Sequence, residues 1–456
     1  MSTPANRFDT AWQAALTHAA QLAAEHNRDV VLTRDLLGRA SLLIDDREAP
    51  LPADAPGLAE AATAFSEATH PFTGLDPLQT ASELFAPELF FDVPELVEVT
   101  APHEGSGRVS TLERTVVGGD WATVTGTESE PPQTRQTRRI ALYGFKGGVG
   151  RSTATTVLAR SLAERGLCVL VVDLDLESPG VSNLLAEPGA TPAYGVVDHL
   201  VESAVGNAED LELVARASLD SPKLGNGDIW LAPAAGTTRP GYDYLAKLNR
   251  IYTDLPAAVL GGAPTPFAAR LEQAIAACEA QVEEKARRPD VVLLDSRAGI
   301  HDIAAVTLTR LCDQALLFAV DNPSTWEGYR MLFEQWRRQP AQARLLRDRI
   351  RIVAAMFHSA GDIDRLSILR RNAYDIFMKT LYNLPGDEDE EPFLPTKGDV
   401  DDKPYAPIPI LFGNDLVGLD PLRSRKWPEL PFVRAAYREF VDTVETLVQD
   451  MYKEQS

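Results

Sequence analysis

The chain has 456 residues, 45% of them hydrophobic and 7% aromatic, and a net charge of −22; this composition fits a globular protein with a real core and, by its length, two domains. It excludes several classes: no apolar run reaches the roughly 18 residues of a membrane span, residues 1–9 lack the basic and apolar regions of a secretory signal, and three isolated cysteines form no C-x-x-C pair for a disulfide framework or a zinc or iron–sulfur site. A cytoplasmic protein is expected. The acidity is uneven, since residues 1–134 hold 21 Asp and Glu against 7 Arg and the first lysine is Lys146; without an excess of Lys and Arg to neutralise phosphates, non-specific DNA binding is not expected.

Taken in order, the first hundred residues read as helical. Trp12, Ala15, Leu16, Ala19, Leu22 and Ala23 recur at near-helical spacing, residues 30–44 and 57–69 repeat the pattern, and residues 84–99 form an aromatic, proline-interrupted apolar stretch. A smaller helical domain over residues 1–100 follows, serving either packing alone or a sensor or effector role, with no recognisable chemistry. Residues 101–137 carry Gly105-Ser106-Gly107, Gly118-Gly119 and Pro131-Pro132, the composition of a linker, with a short strand pair around 112–117 and 121–124 inside it.

From Arg138 the character changes. Ile140, Ala141, Leu142 and Tyr143 form a strand-like run that breaks into Gly144-Phe145-Lys146-Gly147-Gly148-Val149-Gly150-Arg151-Ser152-Thr153 and restarts as a helix. Glycines open backbone angles closed to other residues, so successive N–H groups can turn inward on phosphate oxygens, and the helix adds its positive end. The Ser152 hydroxyl suits Mg²⁺. A buried strand over 168–172 then ends in Asp173-Leu174-Asp175, and Asp290-Val291-Val292-Leu293-Leu294-Asp295 is a second strand ending in a carboxylate, the physical form of a Walker B element. Ligands bind at such strand ends in open α/β sheets.

These residues resemble the deviant Walker A motif, K-G-G-x-G-K-[ST], of the ParA/MinD/Mrp/ArsA group of P-loop ATPases in the CobQ/CobB/MinD/ParA nucleotide-binding superfamily. Lys146 matches the group's signature lysine, which in the family reaches the partner subunit's nucleotide across a dimer interface. Arg151 departs from the pattern, standing where the general P-loop lysine belongs; it keeps the charge but presents a bulkier planar fork, which puts the hydrolysis rate in question. The resemblance implies ATP and Mg²⁺ as cofactors. It places Gly147, Gly148, Val149, Gly150, Arg151, Ser152, Thr153 and Gly299 on the nucleotide, Ser152, Asp173 and Asp295 on the metal, and Lys146, Asp175 and Arg151 in catalysis, with Asp175 positioning the attacking water.

Further along, residues 194–200 are similar to the family's helix after switch I, and residues 229–236 to its strand ending in Pro-Ala-Gly. The part of 237–289 before a helix starting at Pro266 reads as an insertion. Ser296-Arg297-Ala298-Gly299-Ile300 resembles switch II, with Arg297 in place of proline, either on phosphate or a partner or as a plain surface residue. Residues 314–320 and 349–357 read as further strands, and the resemblance sets His358-Ser359 and Phe412-Gly413-Asn414 around the base. An acidic loop insertion lies near 385–404, and residues 431–451 form a final helix whose acidic polar face suits docking on the sheet rather than membrane targeting.

The expected fold is α/β, a doubly wound, mostly parallel P-loop domain over 138–456 preceded by the helical domain. The expected function is an ATP-dependent molecular switch that forms an ATP-dependent homodimer, hydrolyses ATP slowly and regulates or positions a protein partner. A nucleotide-binding scaffold with little hydrolysis, or a P-loop kinase or amidoligase of the same superfamily, are the alternatives; Mrp-type iron–sulfur carriers need paired cysteines, which the sequence lacks.

Overall fold

The computed structural model describes residues 7–453 apart from 53–54, 94, 101–106, 115–120, 122–136, 188, 220–224, 256–263, 358–364, 383, 385–402, 417 and 425. The acidic stretch 385–402 and the pair His358-Ser359 therefore lie outside the described residues. The chain divides into two compact units, Met1–Gly119 and Asp120–Ser456.

In the first unit α1 (Phe8–His26) is followed by β1 (Val30–Arg34), β2 (Ala40–Ile44), α2 (Leu58–Thr69), β3 (Thr73–Thr80), α3 (Glu88–Phe91), β4 (Val97–Thr100) and β5 (Val109–Glu113). The helical part is present as α1 and α2, but it covers a five-stranded sheet of order β3-β2-β1-β5-β4. Residues 30–44, read above as helical, are instead the antiparallel hairpin β1–β2. Its residues alternate between two cores, Val30 and Leu32 beneath α1 and Val31 on the opposite face. A run buried on both faces shows the same apolar density as a helix, so periodicity does not separate them. The turn decides it: Asp35 accepts the N–H groups of Leu37 and Arg39 at 2.9 and 2.8 Å, and Gly38 takes φ +80°. Within the expected linker, the strand read around 112–117 is β5, which begins earlier, at Val109, and pairs parallel with β1 from Val30↔Val109 to Arg34↔Glu113, with Leu112 fully buried; its expected partner around 121–124 lies, apart from Trp121, outside the described residues.

The second unit runs β6 (Arg138–Gly144), α4 (Arg151–Glu164), β7 (Cys168–Leu174), α5 (Val181–Leu185), α6 (Val196–Ser203), β8 (Ala215–Arg216), β9 (Asp228–Ala232), α7 (Tyr244–Leu248), α8 (Phe267–Lys285), β10 (Val291–Ser296), α9 (Asp302–Val306), β11 (Gln314–Ala319), α10 (Pro323–Arg337), α11 (Pro340–Arg349), β12 (Ile350–Phe357), α12 (Arg365–Thr380), β13 (Ile408–Leu411) and α13 (Pro431–Lys453). Its eight strands take the order β13-β12-β11-β6-β10-β7-β9-β8, and only β8–β9 is antiparallel. This is the doubly wound, mostly parallel sheet expected. Alternate residues feed two cores: Ile140 and Leu142 face the layer of α4 and α13, while Ala141 and Tyr143 face that of α8, α10 and α12. Burial on both faces is why the inner strands read as unbroken apolar runs.

The final helix docks as its pattern predicts. Val433, Ala436, Phe440, Val444 and Val448 are buried, and the Phe440 ring meets Phe318 edge-on at 6.2 Å. Glu445 on the same face accepts the Ser161 hydroxyl at 2.7 Å. Among the described residues no helix is long and apolar enough to cross a membrane.

The chain after β6 leads through α4 to β7, while the chain after β10 leads to β11 on the other side of β6. Neighbouring strands that send their connections in opposite directions leave a crevice at their carboxyl ends. The loops after β6 and β10 meet there. The second unit also starts earlier than residue 138, since Trp121 is buried against Tyr143 and Trp336, with ring centroids at 6.2 and 6.4 Å. Trp121→Ala should lower stability in a denaturant melt by about 3–5 kcal/mol, and a chain beginning at residue 138 should melt below one beginning at 120. Equal melting of the two would place the indole outside the core.

Candidate functional site

The loop between β6 and α4 is built from backbone. Gly148 and Gly150 have φ of +75° and +82°, and a methyl group on either would meet nothing within 4 Å. They are needed for the left-handed turn, not for space, and the turn leaves the main chain open to an incoming group. Gly150 caps α4, whose amino end carries the positive pole of the helix. Val149 is buried and tethers the loop, whereas Lys146, Gly147 and Gly148 are exposed. Lys146 makes no ion pair with any described residue, and Thr153 is half-buried in the first turn of α4.

Beside this loop the sheet sets two carboxylates side by side. Asp173 and Asp295 are register partners on β7 and β10, and both are fully buried. Asp173 accepts the Ser182 N–H at 3.0 Å, the Ser182 hydroxyl at 2.6 Å and the Asp175 N–H at 3.2 Å. Asp295 accepts the Ser152 hydroxyl at 2.7 Å. Gly180 lets the chain after β7 close over Ser152, because a Cβ there would lie 3.0 Å from its Oγ.

Arg151 joins the group from the first turn of α4. Its Nε lies 3.4 Å from Asp295 Oδ1 and its Nη2 3.1 Å from Asp175 Oδ2. A cation at the amino end of a helix opposes the macrodipole, and the two carboxylates offset that. Arg151 is 7% exposed, and its Nη1 has no hydrogen-bond partner among the described residues. Burial raises the Asp173 carboxyl to about 7, with the neighbouring Asp295 charge adding to it. Burial also raises Asp295 and Asp175, each opposed by the Arg151 charge.

The structure thus brings Arg151, Ser152, Asp173, Asp175 and Asp295 together. The donors are all oxygen, two carboxylates and a hydroxyl. That set fits Mg²⁺, which keeps waters and takes one or two carboxylates together with substrate phosphates.

Gly299 completes the far wall. It takes φ +82°, its N–H donates to the Gly144 carbonyl at 3.2 Å, and its carbonyl accepts the Tyr143 hydroxyl at 3.0 Å. Arg297 is no isolated surface residue, because it pairs with Glu177. Glu177 also accepts the Tyr252 hydroxyl and lies 3.4 Å from His301 Nε2, whose imidazole is driven toward its neutral form by burial. The Tyr244 hydroxyl donates to the Leu176 carbonyl at 2.5 Å.

Residues 237–255, within the stretch expected as an insertion, therefore pack on Leu176 and Glu177 after β7 and on His301 after β10. Their base is held by buried Asp198, which accepts from Gly195 N–H at 2.7 Å, Gly236 N–H at 3.1 Å, the Tyr242 hydroxyl at 2.9 Å and the Lys247 ammonium. Glu177, Tyr252 and His301 were missed by sequence reasoning. The one available signal was Glu177 two residues past Asp175. Phe412, assigned to the base by resemblance, donates its N–H to the Phe357 carbonyl at 2.8 Å, which sets the ends of β12 and β13 together.

The raised Asp173 carboxyl gives a stability signature. Between the ordinary 3.8 and about 7 the folded chain holds a proton that the unfolded chain has released. The stabilisation from this group is complete below 3.8 and is lost as pH rises through about 7. Asp173→Asn, which cannot ionise, should flatten the decline in melting temperature between pH 5 and pH 8 in the absence of divalent cations. Parallel wild-type and variant curves would show that Asp173 is not held protonated.

Residues 140–376 match the model of the CobQ/CobB/MinD/ParA nucleotide binding domain. Antiactivator FleN of Pseudomonas aeruginosa is 25% identical over 253 residues, covering 55% of this chain and 74% of its own length. Cytosolic Fe-S cluster assembly factor CFD1 of Eremothecium gossypii is 39% identical over 67 residues, 14% of this chain and 24% of that protein. Among solved structures, pNOB8 ParA bound to nonspecific DNA aligns with 68% of this chain and 99% of its own at 16% identity and a TM-score of 0.41. The MinD cell division protein of Aquifex aeolicus aligns with 69% of this chain and 97% of its own at 16% identity and a TM-score of 0.38. With more than half of the chain matched, from the strand that feeds the glycine loop to the helix after β12, the protein belongs to the CobQ/CobB/MinD/ParA nucleotide-binding family.

Proposed function

We propose that the protein is an ATP-dependent molecular switch: it binds Mg·ATP in the crevice between β6 and β10, closes as a homodimer across two phosphate loops, hydrolyses ATP slowly, and presents the closed state to a protein partner. The observation that carries this reading is the convergence of the open glycine loop, the amino end of α4, the Ser152 hydroxyl and the Asp173–Asp295 pair in one crevice. The relative named as an antiactivator supports a regulatory role. Ser152, Asp173 and Asp295 would hold Mg²⁺ directly or through water, and the ion would neutralise phosphate charge. The loop N–H groups from Gly147 to Thr153 would cradle the phosphates, and Gly299 would report the γ-phosphate through its bond to Gly144.

Equilibrium titration with ATP, with and without Mg²⁺, tests the reading together with the mass in solution with Mg·ATP and with Mg·ADP. Binding without any change of mass would leave the scaffold alternative standing. Engagement of Arg151 by both Asp175 and Asp295 favours that alternative, since these are the groups that hydrolysis needs free. A tyrosine-kinase reading is disfavoured: Tyr452, the tail tyrosine, is half-buried and donates its hydroxyl to the Asp290 carbonyl at 2.7 Å.

Two substitutions separate binding from the later steps. Asp175 orients the attacking water, so Asp175→Ala should keep ATP affinity while phosphate release falls by about a hundredfold or more; unchanged release removes Asp175 from that role. Lys146 is exposed at the loop tip and acts on the partner's phosphates. Lys146→Ala should leave monomer affinity within about twofold, as expected for a side chain that makes no contact with its own subunit's nucleotide, and abolish ATP-dependent dimerisation in light scattering. Normal dimerisation of that variant would overturn the trans-acting mechanism.

A further inference from the structure

We infer that Arg151 is a brake on the site and not a substitute for the usual lysine: its fork bridges Asp175 and Asp295, so a divalent cation and its nucleotide must compete with a resident guanidinium for both carboxylates. The inference rests on the proposed nucleotide site and concerns how fast that site turns over.

Three observations carry it. The bridge uses two different nitrogens, Nη2 to Asp175 at 3.1 Å and Nε to Asp295 at 3.4 Å. It is largely shielded from water, with the Arg151 and Asp175 side chains 8% and 15% exposed and Asp295 fully buried. Finally, Asp295 divides its two oxygens between Arg151 and Ser152, so the guanidinium and the hydroxyl together occupy the carboxylate that a metal would use.

An ammonium cannot replace this arrangement. Lysine ends in a compact point charge on a flexible stem, whereas the guanidinium presents separate donors in a fixed plane. Largely shielded from solvent, these two charge-assisted contacts are weakened less by screening than surface pairs are. While Arg151 holds Asp175 by its Oδ2, that oxygen is not free to orient a water. Arg151 is thus a positioning residue: it ties Asp175, after β7, to Asp295 on β10, and release of both is coupled to movement of one side chain. The unpartnered Nη1 is buried beside the bridge, so an anion reaches it only when the guanidinium leaves the two carboxylates.

The test compares the full-length protein with Arg151→Lys, which keeps the charge and removes the fork. Mn²⁺ binding without nucleotide is followed by electron paramagnetic resonance, ATP affinity by titration, and phosphate release in a single turnover. The brake requires Mn²⁺ affinity to rise about tenfold in the lysine variant, the scale of one lost charge-assisted contact. Single-turnover release should rise by a similar factor, with ATP affinity within about threefold. Unchanged Mn²⁺ affinity, or slower release, overturns the brake and makes Arg151 a simple phosphate ligand. If Arg151→Lys fails to fold, Arg151→Gln in the same Mn²⁺ titration decides, a rise supporting the brake and no rise overturning it. If neither protein binds ATP, the switch reading falls, while the nucleotide-free Mn²⁺ comparison still decides the bridge.

Discussion

The structure turns on buried negative charge at the carboxyl ends of two adjacent parallel strands. Neighbouring strands lie about 4.8 Å apart, so the register that sets Asp173 opposite Asp295 forces two fully buried carboxylates together. Such a pair is unfavourable unless it is hydrogen-bonded or neutralised. The groups around it answer that need: Ser182 and the Asp175 N–H on Asp173, Ser152 and Arg151 on Asp295. All of these except Ser182 lie on the loop, helix or strand end that forms the crevice. Holding the fold together and preparing a cation site are one requirement here.

The same logic extends outward through Glu177, which gathers Arg297 and His301 from the chain after β10 and Tyr252 from residues 237–255. A single carboxylate thus connects the loop after β7, the loop after β10 and a segment rooted on buried Asp198. Movement of the loop after β7 or of the loop after β10 would strain contacts to the other and to the segment packed on both. Ile300, after β10, and Leu245, in α7 of that segment, are exposed apolar side chains.

The first unit solves a different problem. Its sheet has a core on each face, with α1 and α2 over one and Phe90, Phe91 and Leu96 against the other. Its few cations are largely spoken for by local pairs, Arg34 with Glu113, Arg39 with Asp35, Arg47 with Asp45 and Asp92, and Arg108 with Asp29. Exposed pairs of this kind contribute little to stability. They offset only part of the unit's acidic excess, which leaves it with a net negative charge.

The sequence by itself determined the second unit's parallel sheet and the glycine loop and strand-end carboxylates that meet at its crevice, because these are written locally. Apolar runs ending in Asp173 and Asp295 and a glycine loop opening a helix are contiguous signals, each decided by a few adjacent residues. Residues 30–44 were not legible, since a hairpin buried on both faces carries no period of two, and β5 was legible only at its far end, with its pairing to β1 hidden. Tertiary structure alone decided what the charged groups do. Arg151 and Asp295 are 144 residues apart in sequence and Tyr252 and Glu177 75; only the register of β6, β10 and β7 brings such groups within bonding distance. The motif places an arginine at the mouth of the crevice, but which carboxylates it holds is fixed by strand order, and nothing local encodes that.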